Sequence, residues 1–266
     1  MSIALPIWGV KESCFNNPKP ILIMGTALDA GWYLHYTRFT GCLFLYQCRI
    51  GLIIIPMKIL SLSDDVVPFI YSPQVKRKFQ GVELLLGCGD LPYYYLEYVY
   101  DSLDVPLYFV RGNHDQVVEY SSAGQRTYPH GGFDLHRKAN VYKGLLLAGV
   151  EGSLRYRPGM FQYSQSEMWM HIFRLAPVLL KNRLVHGRYL DLFISHAPPA
   201  GVHCETDLPH RGIDAFRWLI DFFKPAYFIH GHIHIHRPDS IRESLVGRTW
   251  IINAFGYREI EIDIPA

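Results

Sequence analysis

The sequence is sparing with cysteine, has no excess of either charge, and lacks an apolar run long enough to span a bilayer. Its five cysteines (Cys14, Cys42, Cys48, Cys88 and Cys204) form no Cys-x-x-Cys pair and no zinc-finger spacing. An odd, scattered set argues against a disulfide framework and suits a reducing cytoplasm, where we expect the protein. The longest apolar stretch, from Gly41 to Met57, is broken by Arg49 and falls short of the ~20 residues a spanning helix requires. Membrane association is therefore not expected, and no basic region followed by a clean apolar core marks a secretory signal. A net charge of +2, with no basic cluster interleaved with aromatics, indicates no nucleic-acid binding. Internal repeats are absent as well, and composition leaves the oligomeric state open.

What is present is a chain of 266 residues, 49% apolar, with 22 Gly and 17 Pro, enough to bury a sizeable core. Residues 1–56 differ from the rest. Their only charges are Lys11, Glu12, Lys19, Asp29, Arg38 and Arg49, and no capping signal or sustained periodicity emerges. At Met57 the character changes to Met-Lys-Ile-Leu-Ser-Leu-Ser, a common opening for a globular domain. The expectation is an N-terminal extension outside the fold, translated from upstream of a native start at Met57, and one domain over residues 57–266.

From Met57 the pattern alternates strand and helix, which predicts an α/β fold. Strands are expected over 58–63, 82–86, 106–110, 145–150, 190–195, 226–229, 248–252 and 259–264. Pro92–Leu103 reads as a helix with Pro in its first turn. Ser164-x-x-Glu167 is a capping-box pattern opening a helix to about Arg183, with Pro177 kinking or splitting it. Ile213, Phe216, Ile220 and Phe223 recur at three- and four-residue spacing, the mark of a helix on a sheet face. Gln116–Arg137, polar and Gly-rich, is expected to be a long loop over the site.

Open α/β sheets bind ligands beyond the carboxyl ends of their strands, and five strand ends here carry metal-ligand residue types. They are Asp64, Asp90, Asn113, His196, and the pair His232 and His234. Each has an ordinary explanation taken alone: an N-cap for Asp64, a tight turn for Gly89-Asp90, a core histidine for His196. Five together are hard to attribute to chance. Imidazole, carboxylate and amide oxygen suit Mn, Fe, Zn or similar divalent ions.

The blocks Gly89-Asp90, Gly112-Asn113-His114-Asp115, His196 and Gly231-His232-Ile233-His234, in that order, resemble the calcineurin-like metallophosphoesterase superfamily. The resemblance implies a four-layer αββα sandwich, two mixed β-sheets flanked by helices, with two divalent metal ions at the strand ends. Asp64, Asp90 and His234 would hold the first ion. Asp90 would bridge to a second ion held by Asn113, His196 and His232. The implied reaction is hydrolysis of a phosphodiester or phosphomonoester by metal-activated hydroxide, with His114 as general acid and Asp115 orienting it. The implied substrate is a phosphorylated small molecule or nucleotide.

One block departs. The family has Asp-x-His where this chain has Asp64-Asp65-Val66, so the first site loses an imidazole and is expected to be the weaker. Asp65 is a poor replacement, because neighbours on a strand face opposite ways. The alternative reading is a catalytically weak or inactive protein of this fold serving as a binding scaffold. His210, ahead of a helix N-terminus, and Arg111 are further candidates for touching substrate. His203 lies in the same loop as His210, His230 and His236 are expected to be structural, and Asn253 and Tyr257 lie near the site edge.

Overall fold

A strand such as Val82–Leu86, apolar at nearly every position, needs cover on both faces, and the computed structural model provides it. The structure describes the backbone of residues 32–39, 42–49, 54–121, 124–235, 237 and 239–265. They belong to two units, Met1–Ile53 and Ile54–Ala266. The first holds an antiparallel pair, β1 (Trp32–Phe39) and β2 (Cys42–Arg49), where no strand was expected. The expected boundary at Met57 moves three residues upstream. Ile54, Ile55 and Pro56 pair with Pro265, Ile264 and Asp263 and so belong to the sheet of the second unit.

In chain order the second unit runs β3 (Ile54–Ser63), α1 (Gln74–Lys78), β4 (Val82–Cys88), α2 (Tyr93–Leu103), β5 (Leu107–Val110), β6 (Glu119–Ser121), β7 (Gly124–Arg126) and β8 (Gly132–Asp134). It continues through β9 (Lys138–Tyr142), β10 (Leu145–Val150), β11 (Ser153–Leu154), β12 (Gln162–Tyr163), α3 (Gln165–His186), β13 (Leu192–Ser195) and α4 (Asp214–Phe223). The chain closes with β14 (Tyr227–His230), β15 (Glu243–Val246), β16 (Thr249–Asn253) and β17 (Gly256–Pro265). Five strands in the order β17-β3-β4-β5-β8 make one mixed sheet, and six in the order β15-β16-β14-β13-β10-β9 make the other.

Alternation along the strands sorts side chains into three cores. Ile59, Leu84, Leu86 and Val110 of the five-stranded sheet meet Leu147, Leu192, Ile194 and Ile229 of the six-stranded sheet. Leu60, Leu62 and Leu85 point the other way, onto Tyr95, Leu96 and Val99 of α2. Ala148, Phe193 and Phe228 face outward onto Met168, Ile172 and Leu175 of α3 and Phe216 and Leu219 of α4. The result is the αββα sandwich that the motif resemblance implied.

The expected loop over 116–137 is a correction, since it contains β6, β7 and β8, and β8 joins the five-stranded sheet beside β5. Helix α3 starts as expected: the Ser164 hydroxyl accepts from the Glu167 amide at 3.2 Å, and the Glu167 carboxylate accepts from the Ser164 amide at 2.7 Å. It continues through Pro177 to His186 without splitting. We predict that Ser164→Ala costs about 1 kcal/mol and lowers Tm by about 2–4 °C in thermal unfolding followed by circular dichroism.

Candidate metal centre

The parallel strands β3, β4, β5, β13 and β14 end at one place, and within two residues of three of those ends the backbone turns sharply. Asp64, Asp90 and His232 have φ of 65°, 56° and 66°. Left-handed backbone at three non-glycine positions is strain that the surrounding structure must hold, and such strain clusters at functional sites. Glycine permits the close approach at two neighbouring points. A Cβ on Gly89 would lie 2.6 Å from His196 Nδ1, and one on Gly231 would run into Ser63 and the Asp64 carboxylate.

Four potential ligands converge. His196 Nε2 lies 3.0 Å from Asn113 Oδ1, 3.1 Å from His232 Nδ1 and 3.2 Å from Asp90 Oδ2. The far nitrogens are tied to backbone carbonyls: His196 Nδ1 lies 2.9 Å from Cys88 O, and His232 Nε2 lies 2.8 Å from Pro209 O. A ring whose far N–H donates to a carbonyl turns a lone pair toward the centre. Two imidazole lone pairs, an amide oxygen and a carboxylate around one point form a set that only a cation completes, and this donor set fits a divalent ion. Without metal, a proton fills that role. Burial works against charge on His196, but Asp90, and then Asp64, raise its pKa to about 9. Burial likewise works against charge on Asp90, but His196 and the His114 amide hold it at about 2.

The second half of the centre is leaner. The Asp64 carboxylate accepts from the His232 amide at 3.0 and 3.1 Å and lies 3.7 Å from His234 Nε2. His234 is half exposed, and the neighbouring Asp64 carboxylate raises its pKa. Val66 packs into the apolar core beneath α2, and Asp65 is exposed. Asp64, Asp90 and His234 are therefore the three side chains on offer for a first ion.

Several expected roles change. Asp115 was expected to orient His114, but its two oxygens accept from the backbone amides of Leu91 at 2.9 Å and Gly112 at 2.7 Å. Burial and then the charge of Asp90 raise the Asp115 pKa to about 7. Arg111, a candidate for touching substrate, pairs with Asp134 at 3.0 Å and Glu151 at 3.4 Å. His203 bonds the buried His230 at 2.9 Å and Ser244 at 2.9 Å, so it serves the loop. His210 reaches Asp207 at 2.7 Å, while its ring lies 5.3 Å from that of His232 at the edge of the centre. Asn253 donates to Ile233 O, steadying the turn that carries His232 and His234. Tyr257 packs on Phe69 and Phe79, and His236 lies outside the described residues.

His114 is exposed at the mouth, and its amide donates to Asp90 at 2.7 Å. Asp90, His114, Asp115 and Glu119 line a cavity of about 190 Å³. The loop between β11 and β12 supplies two residues that sequence reasoning missed. Asn113 Nδ2 donates to the Tyr156 hydroxyl at 3.3 Å, which turns the amide oxygen toward His196. The Arg157 guanidinium lies 3.4 Å from His114 Nδ1 and over the Tyr156 ring. Their one signal was Arg155-Tyr156-Arg157-Pro158-Gly159, an aromatic between two cations in a turn just beyond a strand end.

The architecture has relatives among solved structures. TT1561 of Thermus thermophilus superposes with a TM-score of 0.52 at 14% identity, over 79% of this chain and 100% of its own. Vacuolar Protein Sorting 29 from Cryptosporidium parvum gives 0.37 at 11% identity, over 75% of this chain and 74% of its own. A novel archaeal phosphodiesterase gives 0.36 at 14% identity, over 77% and 100%. No curated protein matches the chain by sequence. The profile of the calcineurin-like phosphoesterases matches residues 66–236, more than half of the sequence, and the chain belongs to that family.

Proposed function

We propose that this protein is a metal-dependent phosphoesterase acting on a phosphorylated small molecule. The observation that carries the reading is the convergence of Asn113 Oδ1, His232 Nδ1 and Asp90 Oδ2 on His196 Nε2 at 3.0–3.2 Å. These four side chains would hold one divalent ion, and Asp64, Asp90 and His234 would hold a second, more weakly. Ions bound there would supply positive charge to the reacting phosphoryl group and acidify water.

The chain's own residues do the rest. Asp90 sits between the two ligand sets and offsets repulsion between their cations. Tyr156 holds the Asn113 amide with its oxygen inward. Arg157 lies at the mouth, where its planar fork suits a phosphate. His114 stands beside it at the mouth, positioned to serve as general acid toward the leaving oxygen. Asp115 fastens the loop that carries Asn113 and His114 to the backbone at Leu91.

A second reading, a scaffold of this fold without activity, draws on Val66, which removes one ligand. Ligand positions kept at four other strand ends favour the enzyme. With Mn²⁺, a chromogenic phosphodiester should be hydrolysed and a chelator should stop it; no hydrolysis with any divalent ion would support the scaffold. His114→Ala should lower kcat about 10²–10⁴-fold while bound metal, measured by mass spectrometry, is unchanged. Undiminished kcat would remove His114 from the mechanism. Arg157→Ala should raise KM about tenfold or more with a smaller change in kcat. On extended dialysis one ion should leave well before the other, and His234→Ala should remove the early one only; two ions retained equally would contradict the asymmetry.

A further inference from the structure

Helix α3 is apolar on two opposite faces. Met168, Ile172, Leu175 and Leu179 fill the core against the six-stranded sheet. Met170, Phe173, Pro177, Leu180 and Leu184, spaced three and four apart, run along the far side. At 3.6 residues per turn these two sets lie on roughly opposite sides of the helix. A helix apolar all round calls for cover on both faces, but Phe173 is 55% exposed and Leu184 88% exposed. Helix α4 extends the patch: Trp218 lies 5.9 Å from Phe173 and stacks on Phe222 at 5.0 Å.

Apart from Asp214 at the start of α4, the charges on this surface that make no ion pair among the described residues are cations. Arg174, Lys181, Arg183 and Lys224 make no ion pair among the described residues; Arg183 lies over the Tyr189 ring. The acids nearby are engaged or lie at the edge: Glu167 pairs with Arg155 and Asp221 with Arg217, and Asp214 sits at the start of α4. A second copy docked on this face would set cation against cation, so the stripe does not suit self-association. The apolar residues lie on the outer side of two helices. Phe173, Leu180 and Leu184 lie outside the cavities at His114, Phe133, Tyr189 and Trp250, although Arg183, Phe222 and Lys224 help to line the one at Tyr189. Exposed aromatics and aliphatics flanked by unpaired Lys and Arg are the features of a face that lies on an anionic bilayer surface.

We propose that the α3–α4 face docks the protein on membranes carrying anionic lipid headgroups, with Phe173, Leu180 and Leu184 entering the interface. Among the described residues no helix is long and apolar enough to cross a membrane, and this contact needs none. The inference does not depend on the phosphoesterase reading.

Co-sedimentation of the full chain with vesicles tests it, comparing phosphatidylserine diluted in phosphatidylcholine with phosphatidylcholine alone. We expect binding to the anionic vesicles only, weakened by salt. Lys181→Glu should weaken it about fivefold or more, and Phe173→Glu with Leu184→Glu should abolish it while circular dichroism is unchanged. Equal binding to both vesicles, or binding that survives the paired substitution, would overturn the proposal. So would failure to sediment with either vesicle, whether the protein is then a dimer broken by Leu184→Glu or a monomer that captures an acidic amphipathic peptide.

Discussion

The structure depends on bringing the ends of parallel strands from two sheets to within hydrogen-bond distance of one imidazole nitrogen. His196 follows β13 in the six-stranded sheet, while Asp90 and Asn113 follow β4 and β5 in the five-stranded one. Each sheet is tied within itself at this level: the Gly231 amide donates to His196 O at 2.9 Å, and the Ser63 hydroxyl reaches Cys88 O at 3.0 Å. Between the sheets, His196 Nδ1 meets Cys88 O at 2.9 Å, and the His232 amide donates to the Asp64 carboxylate at 3.0 Å. The shared core of Ile59, Leu84, Leu192 and Ile194 sets the spacing between the sheets. Packing therefore fixes where the donors meet, and backbone carbonyls at Cys88 and Pro209 fix how the two imidazoles turn. Removing the negative charge at Asp90 would leave an excess of neutral acceptors around a buried histidine, which is costly in a low-dielectric interior.

The two halves of the centre differ for a reason visible at one position. Val66 packs with Val67 and Phe69 against the core beneath α2, so the segment after β3 serves the core where a ligand would otherwise stand. Asp64 keeps its carboxylate on the centre through the His232 amide, and His234 approaches from the exposed side. A side chain in water exchanges its contacts more easily than one fixed in the interior, and losing a ligand weakens the ion it held. Under the proposed function, this asymmetry separates the chain from a two-ion site with equal halves and puts the weight of metal binding on the His196 cluster.

Strand ends were legible because chemistry and periodicity coincide there. β10 was expected over 145–150 and found at Leu145–Val150, since both its faces are buried and its run is uninterrupted. The residues that gather around His196 were legible for a related reason, since Asp, Asn and His after apolar runs have few structural uses in that number. The short edge strands β6, β7 and β8 were missed because half-exposed, three-residue strands carry no periodic signal. Tyr156 and Arg157 were missed because their place beside Asn113 and His114 is set by β11 pairing with β12, a contact between segments with no local pattern. Arg111 sat in the most suggestive stretch of the sequence and turned out to hold Asp134 and Glu151. Its charge, adjacent to the motif, gave no hint of which way the side chain would face.

If the His196 cluster binds metal, a bound ion can be located there. Anomalous scattering from a crystal of the Mn²⁺-loaded protein should give its strongest peak between His196 Nε2, His232 Nδ1, Asn113 Oδ1 and Asp90, at about 2.0–2.3 Å from the donors. A weaker peak is expected between Asp64 and His234. A manganese peak elsewhere, with the His196 cluster still closed on itself, would contradict the account.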